Sequence, residues 1–259
     1  MPELSIVVLH FNRWDLTKDC LASIDAQDIP CTYEKVLVDN GSTEPPYPIP
    51  PIPPTGWRVQ RYADNRGHIV GQNRCFESAQ GQWVLFVAND VRLYRQCIKG
   101  LWSLRGEGLF PSAVGQFQPV LYRPDGAIDQ CGMDWKWPGY GISRTTFRGN
   151  QVPITPSSCY LMKRSVWKEI GGFDKQLLTS HEDVDFGIRL QRANYWNLCQ
   201  YSSKATHLMN ATLRHAPTHT RAAFHRDRVY VIRKHYRGLD RWLRLLVVNF
   251  LDAIRGALG

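Results

Sequence analysis

Three carboxylates are crowded into four residues, Glu182-Asp183-Val184-Asp185. One or two acidic groups in a first helical turn serve the helix dipole, with Ser180 as a fair N-cap. A third is more than that role needs. At least one carboxylate of the segment is therefore left without a structural explanation. Polar groups also close three apolar runs. Asn12 follows Ser5–Leu9, Asp39 ends Glu34–Asp39, and Asn89-Asp90 follow Trp83–Ala88. Turn formation or capping accounts for any one of them. Three at corresponding strand ends point to one shared site, because open parallel sheets bind ligands beyond the carboxyl ends of their strands.

The elements that must position these groups are readable from the apolar pattern. Ser5–Leu9 reads as a buried strand, Leu16 through Ile24 as a helix, and Glu34–Asp39 as a second strand. Strand, helix and strand within 40 residues open a parallel βαβ sheet. Val59–Tyr62 predicts a third strand and Ile69–Gln80 a helix, and Trp83–Ala88 is the strongest strand signal of the chain. Between the second and third strands, Pro45–Pro54 is a polyproline-like excursion. Residues 108–160 are rich in Gly, Pro and Trp, with a turn at Arg123-Pro124-Asp125-Gly126 and aromatic residues Trp135, Trp137 and Tyr140 around Pro138-Gly139. Such aromatics stack on sugars or bases when exposed and otherwise pack a core. Ser165–Ile170 predicts a short helix ended by Gly171-Gly172.

Composition bounds the rest. The 259 residues are 43% hydrophobic and 21% charged, ordinary for a globular protein. No run of about 18 apolar residues predicts a membrane span, and the N-terminus has no secretory pattern. Seven scattered cysteines without a C-x-x-C pair predict neither a disulfide framework nor a zinc knuckle, which suits a reducing cytoplasm.

In order along the chain, five segments resemble glycosyltransferase family 2. They are Ser-Ile-Val-Val-Leu-His-Phe-Asn, then Val38-Asp39-Asn40-Gly41-Ser42, then Asn65-Arg66-Gly67-His68 with Gly71-Gln72-Asn73, then Gly171-Gly172-Phe173-Asp174, and finally Glu182-Asp183-Val184-Asp185. Each is weak alone; their order and spacing carry the resemblance, most closely to bacterial rhamnosyl- and galactosyltransferases. It implies an α/β GT-A fold, with a mostly parallel Rossmann-like sheet, and an inverting enzyme. The enzyme would move sugar from a nucleotide-diphosphate donor to a hydroxyl of a glycan or lipid-linked glycan.

The resemblance also implies roles. His10, Phe11, Asn12, Asp39, Asn65, Gly67, Asn73, Asn89 and Asp90 would bind the nucleotide sugar, with Asp39 accepting from the nucleobase. Asp183 would be the general base, assisted by Glu182 and Asp185. Asp90 and His207 would hold a divalent metal, manganese in preference to magnesium because imidazole is the softer ligand. His215 and His219 are rivals of His207, and Arg214, Arg221, Arg226 and His215 would add charge for the leaving group. Where the family carries Asp-x-Asp or Asn-Pro-Asp, this chain reads Ala88-Asn89-Asp90, one ligand poorer. Competing readings are a damaged nucleotide-sugar binder and a basic-tail nucleic-acid binder. The intact acidic segment opposes the first. The lack of a nucleic-acid-binding module opposes the second, so no nucleic acid is expected.

The predicted organisation is a catalytic domain over 1–220, split into a donor half (1–107) and an acceptor half (108–220), and a basic amphipathic extension over 221–259. From Tyr201 on, eleven Lys and Arg face three Asp, so this stretch carries most of the net charge of +9. Over Asp240–Leu258, Arg241, Arg244, Asp252 and Arg255 share one helix side. Trp242, Leu243, Leu246, Phe250, Ala253, Ile254 and Ala257 cover the other. The expectation is that the apolar side docks on the body or pairs two copies. Peripheral contact with the inner membrane face is the alternative for a cytoplasmic enzyme with a lipid-linked acceptor.

Overall fold

A computed structural model describes residues 1–43, 55–105, 113–208 and 218–257, the side chains of 218–221 and 255–257 excepted. The polyproline run, Arg214 and His215 lie outside the described residues, as do the side chains of His219, Arg221, Arg255 and Ala257.

Strand β1 (Leu4–His10) leads through helix α1 (Trp14–Asp25) to β2 (Tyr33–Asp39) and β3 (Trp57–Arg61). Helix α2 (Gly67–Ser78) then returns the chain to β4 (Trp83–Ala88) on the other flank of β1. These four strands pair in parallel. The order in which strands are added reverses at β1, outward to β2 and β3 on one flank and then to β4 on the other, which creates the switch-point crevice where such sheets take ligands. The register brings His10 beside Asp39 and Leu9 beside Ala88, so the polar strand ends line up along one rim.

The second half of the sheet is mixed. After β5 (Val91–Leu93) and α3 (Cys97–Ser103) come β6 (Val114–Tyr122), β7 (Ile128–Gln130), the hairpin β8 (Met133–Lys136) and β9 (Tyr140–Ser143), β10 (Gln151–Val152) and β11 (Cys159–Lys163). Helices α4 (Arg164–Ile170) and α5 (Glu182–Arg192) precede the long β12 (Trp196–His207). The order along the main sheet is β10-β12-β6-β11-β4-β1-β2-β3, with β5 and β7 pairing at the side. Alternate residues of each strand feed two cores. Leu4, Ile6, Val8, Leu37 and Leu85 pack with α1 and α3, whereas Val7, Leu9, Val36, Val38 and Phe86 pack with α2, α4 and α5. Burial on both faces is why these strands read as unbroken apolar runs.

Two sequence expectations change. Helix α5 starts at Glu182 with His181 at its cap position in left-handed backbone (φ 62°), and Ser180 instead bonds the His181 ring. Helix α7 (Gly238–Ala257), which follows α6 (Thr218–His235), does not dock its apolar side on the body, the first of the two arrangements expected for it. Its polar side meets the body. Arg244 donates to Asp240 and to the Pro138 carbonyl and lies on the Tyr236 ring, and Asp252 accepts from His225 and Arg228. Trp242, Leu246 and Phe250 are 67%, 67% and 63% exposed, and Leu239, Leu243 and Ile254 are exposed with them.

Candidate active site

The floor of the site is the rim of β1, β2 and β4. Asp39 is fully buried, and its Oδ1 accepts from the Ser42 amide (2.9 Å) and hydroxyl (2.5 Å). Its Oδ2 has no hydrogen-bond partner, with Arg61 Nη1 3.3 Å away. Gly41 makes the turn that shapes this carboxylate's surroundings. Its φ is +80°, and a Cβ there would fall 2.4 Å from the Asp64 carbonyl carbon. Asn12, also left-handed (φ 50°), ties the first loop to this turn, donating its amide to Ser42 Oγ and accepting from the Thr43 amide. Phe11 beside it is exposed. Asn65 accepts from the Asn40 side chain and from the Gly67 amide that opens α2.

His10 and Asn89 meet through one hydroxyl. Thr17 Oγ1 lies 2.7 Å from His10 Nδ1 and accepts from Asn89 Nδ2 at 3.0 Å. His10 is buried, and that burial lowers its pKa. Asn73 is bound within the protein. Its amide is buried and clamps Phe173, donating to the carbonyl (3.0 Å) and accepting from the amide (2.9 Å). Both of its polar ends hold the Gly-Gly-Phe loop.

Beyond β4 the structure joins Asp90 to His207, with Oδ2 and Nε2 3.5 Å apart. Pairing of β5 with β12 sets His207 opposite Val91, which is how residues 117 positions apart meet. The other ring nitrogen, Nδ1, lies 3.1 Å from Asp129 Oδ2. Burial lowers the His207 pKa, but Asp129 and Asp90 outweigh it and raise it to about 9. Burial raises the Asp90 pKa, and His207 outweighs that and lowers it.

The acidic segment separates its three carboxylates. Glu182 accepts from Ser157 Oγ (2.6 Å) and Gln72 Nε2 (3.5 Å), with His68 Nε2 at 3.8 Å. His68 also acts electrostatically on Asp90, so it stands between the two acidic groups. Asp185 turns away. It is fully buried, with Arg189 Nε 2.9 Å from one oxygen and His235 Nε2 and Lys234 Nζ both 2.7 Å from the other. Burial raises its pKa, but these partners bring it down to about 2. These contacts join α5 to α6. Asp183 has no ion pair among the described residues, and its Oδ1 accepts from the Val184 amide at 2.7 Å. Burial, and after it the Glu182 carboxylate, raises its pKa far above the ordinary carboxylate range.

Alpha6 also holds the approach to this segment. Buried Asp227 accepts from the amides of Leu178, Thr179 and Ser180. His181 is packed between Trp135 and Phe224 in its strained conformation. Sequence reasoning missed Ser42, Arg61, His68, Asp129 and Asp227. Ser42 and His68 sat inside quoted motifs, whereas nothing local marks Asp129 or Asp227. Arg226, expected near the leaving group, donates to the Gln176 carbonyl instead.

The model of the family described as "Glycosyl transferase family 2" matches residues 5–171, more than half of the chain. The chain belongs to glycosyl transferase family 2. The chain is 25% identical over 240 residues to the O-antigen biosynthesis protein RfbC of Myxococcus xanthus, covering 82% of this chain and 18% of that protein. It is also 25% identical to the N-acetylglucosaminyl-diphospho-decaprenol L-rhamnosyltransferase of Mycobacterium tuberculosis, covering 80% and 78%. The chain spans 18% and 27% of the length of the first two curated relatives it matches. Among solved structures, GalNAc-T7 with UDP, GalNAc and Mn2+ superposes with a TM-score of 0.67 at 14% identity, covering 82% of this chain and 45% of the other. The mannosyltransferase PcManGT of Pyrobaculum calidifontis with GDP-Man and Mn2+ gives 0.62 at 16%, covering 96% and 69%. The glycosyltransferase has the GT-A fold.

Proposed function

We propose that this glycosyltransferase transfers a sugar with inversion from a nucleotide-diphosphate sugar to a hydroxyl of a glycan or lipid-linked glycan, with Asp183 as general base. The observation that carries the reading is the contrast within one helical turn: Glu182 and Asp185 are engaged, and Asp183 is left with a raised pKa and no cation. A carboxylate of that kind is a stronger base than ordinary Asp and can receive the hydroxyl proton as the acceptor oxygen bonds to the anomeric carbon. The bond from that carbon to the diphosphate oxygen breaks in the same step, so the product has the opposite anomeric configuration. Asp39 Oδ2, which faces Arg61 but accepts no hydrogen bond, suits an imide N–H of the base.

The donor set tests whether a divalent cation fits. A carboxylate oxygen and an imidazole nitrogen 3.5 Å apart are spaced as two ligands of one ion, and the pair suits manganese. No group of three or more His, Cys, Asp or Glu among the described residues forms a full cage. Asp90 and His207 would therefore hold the ion jointly with the diphosphate and water. When bound, the cation neutralises charge on the leaving diphosphate.

The outward apolar side of α7 supports peripheral contact with an anionic membrane at the inner face, in keeping with the decaprenol named in the mycobacterial relative. No helix among the described residues is long and apolar enough to cross a membrane.

The test is incubation with UDP-, GDP- and dTDP-sugars plus Mn2+, with polyprenyl-diphosphate glycans as acceptors. The expected result is release of nucleoside diphosphate and an inverted linkage seen by NMR. A product that retains the donor configuration would refute the single-displacement reading.

A further inference from the structure

Asp129 lies on β7, where the pairing with β6 slips by one residue. Leu121 faces Gln130 but Tyr122 faces Ile128, so Asp129 is the unpaired residue of a bulge. Bulges re-aim a side chain and gather beside active sites. Here the bulge accompanies a nearly buried Asp129 carboxylate placed 3.1 Å from Nδ1 of His207, two strands away across β6. The opposite nitrogen of the same ring is the one facing Asp90. Asp129, His207 and Asp90 thus form a line through a single imidazole, with one carboxylate at each ring nitrogen.

This line settles a chemical question that β12 alone leaves open. A histidine can ligate through Nε2 only when the neutral ring carries its proton on Nδ1. An acceptor fixed at Nδ1 selects that tautomer, restrains ring rotation and makes the free nitrogen a better donor. The geometry points to Asp129 as a positioning residue that holds His207 in the tautomer and orientation needed to ligate the cation of the nucleoside diphosphate. This inference rests on the metal-assisted reading above. Asp129 does not touch the donor; it acts through His207.

The test measures UDP and GDP affinity by calorimetry in chelator and in Mn2+, for the parent, Asp129→Ala, Asp129→Asn, His207→Ala and the Asp129→Ala/His207→Ala double variant. In the parent, Mn2+ strengthens binding of one nucleotide. Asp129→Ala reduces that strengthening by roughly 10–100-fold, the usual cost of losing an outer partner of a metal ligand. Its affinity in chelator and its melting temperature stay at parental values. Asp129→Asn, which keeps a carbonyl acceptor, recovers part of the loss. In the His207→Ala background, removing Asp129 has no further effect, because the route through the ring is already broken. If Asp129→Ala keeps the full Mn2+ effect, or weakens binding equally in chelator, the inference is overturned while the metal reading stands. If the parent shows no Mn2+ effect with either nucleotide, the metal reading fails and the inference falls with it.

Discussion

The two sides of α5 treat the same functional group in opposite ways. On one, Asp183 is half-buried beside another carboxylate, with no ion pair among the described residues, and its pKa rises. On the other, two residues later, Asp185 is enclosed among Arg189, Lys234 and His235, and its pKa falls to about 2. Burial alone raises the pKa of any carboxylate, so the partners decide the direction. The paired group ties α6 to α5 and holds the helix in place. The unpaired one costs stability and keeps a strong proton acceptor available. On the proposed reading, chemistry and anchorage are separated within a single turn.

Asp183→Asn tests that separation most severely. Transfer should fall by roughly a hundredfold or more, the usual reach of general-base catalysis, while donor binding persists. The same change should raise the melting temperature in alkaline buffer. Because the folded pKa is raised, ionising Asp183 opposes folding. That cost is absent below the unfolded value near about 4 and grows until pH passes the folded value. The gap in melting temperature between variant and parent should therefore widen with pH. An Asn variant that is inactive yet no more stable than the parent at high pH would mean that the carboxylate is balanced by a partner.

Asp185→Asn should act in the reverse sense. It removes the charge of a buried carboxylate that pairs with Arg189 and Lys234, a loss on the order of 3–5 kcal/mol in denaturant unfolding. The parent gains this stability above the unfolded carboxylate pKa and loses it as pH falls toward about 2. Transfer at low temperature by the variant that remains folded should stay within several-fold of the parent. A loss of turnover as large as that of Asp183→Asn, in folded protein, would return Asp185 to the chemistry.

Glu182→Gln sharpens the comparison, since the Glu182 charge is the second cause of the Asp183 shift. Removing it should move the acid limb of the kcat/KM profile to lower pH by roughly one unit or less. An unmoved limb would leave burial as the whole cause. The smallest stability effect is expected at Phe250→Glu and Leu246→Glu, whose outward side chains should tolerate charge within about 0.5 kcal/mol. Those variants should nevertheless lose salt-sensitive co-sedimentation with phosphatidylglycerol vesicles, which parent protein should show. Vesicle binding unchanged in both variants would remove α7 from the membrane reading.

The parallel half was legible because β1, β2 and β4 are buried on both faces and must be continuously apolar. The mixed half was not. Strand β6 carries buried Gln116 and Gln118 and a Pro119 in its interior, a pattern that does not announce a strand. The site was legible where a strand end or a motif marks it, as at Asp39, Asp90 and Glu182. The partners of Asn73 and Asp185 were not legible, because Phe173 and His235 lie 100 and 50 residues away.

Helix α7 shows where the boundary falls. Its sequence alone determines that one side is apolar and the other polar, since a period of 3.6 residues sorts the side chains. Nothing in that period states which side meets the protein. Tertiary structure decided it by bringing Arg244 to Pro138 and Tyr236, and His225 and Arg228 to Asp252. The same holds for the site. Residue types determined that carboxylates and a histidine were present to hold a cation and take a proton. Folding alone decided which carboxylate would be neutralised and which left unpaired. Charge interactions depend on distance and enclosure, and both are set by segments far apart in the chain.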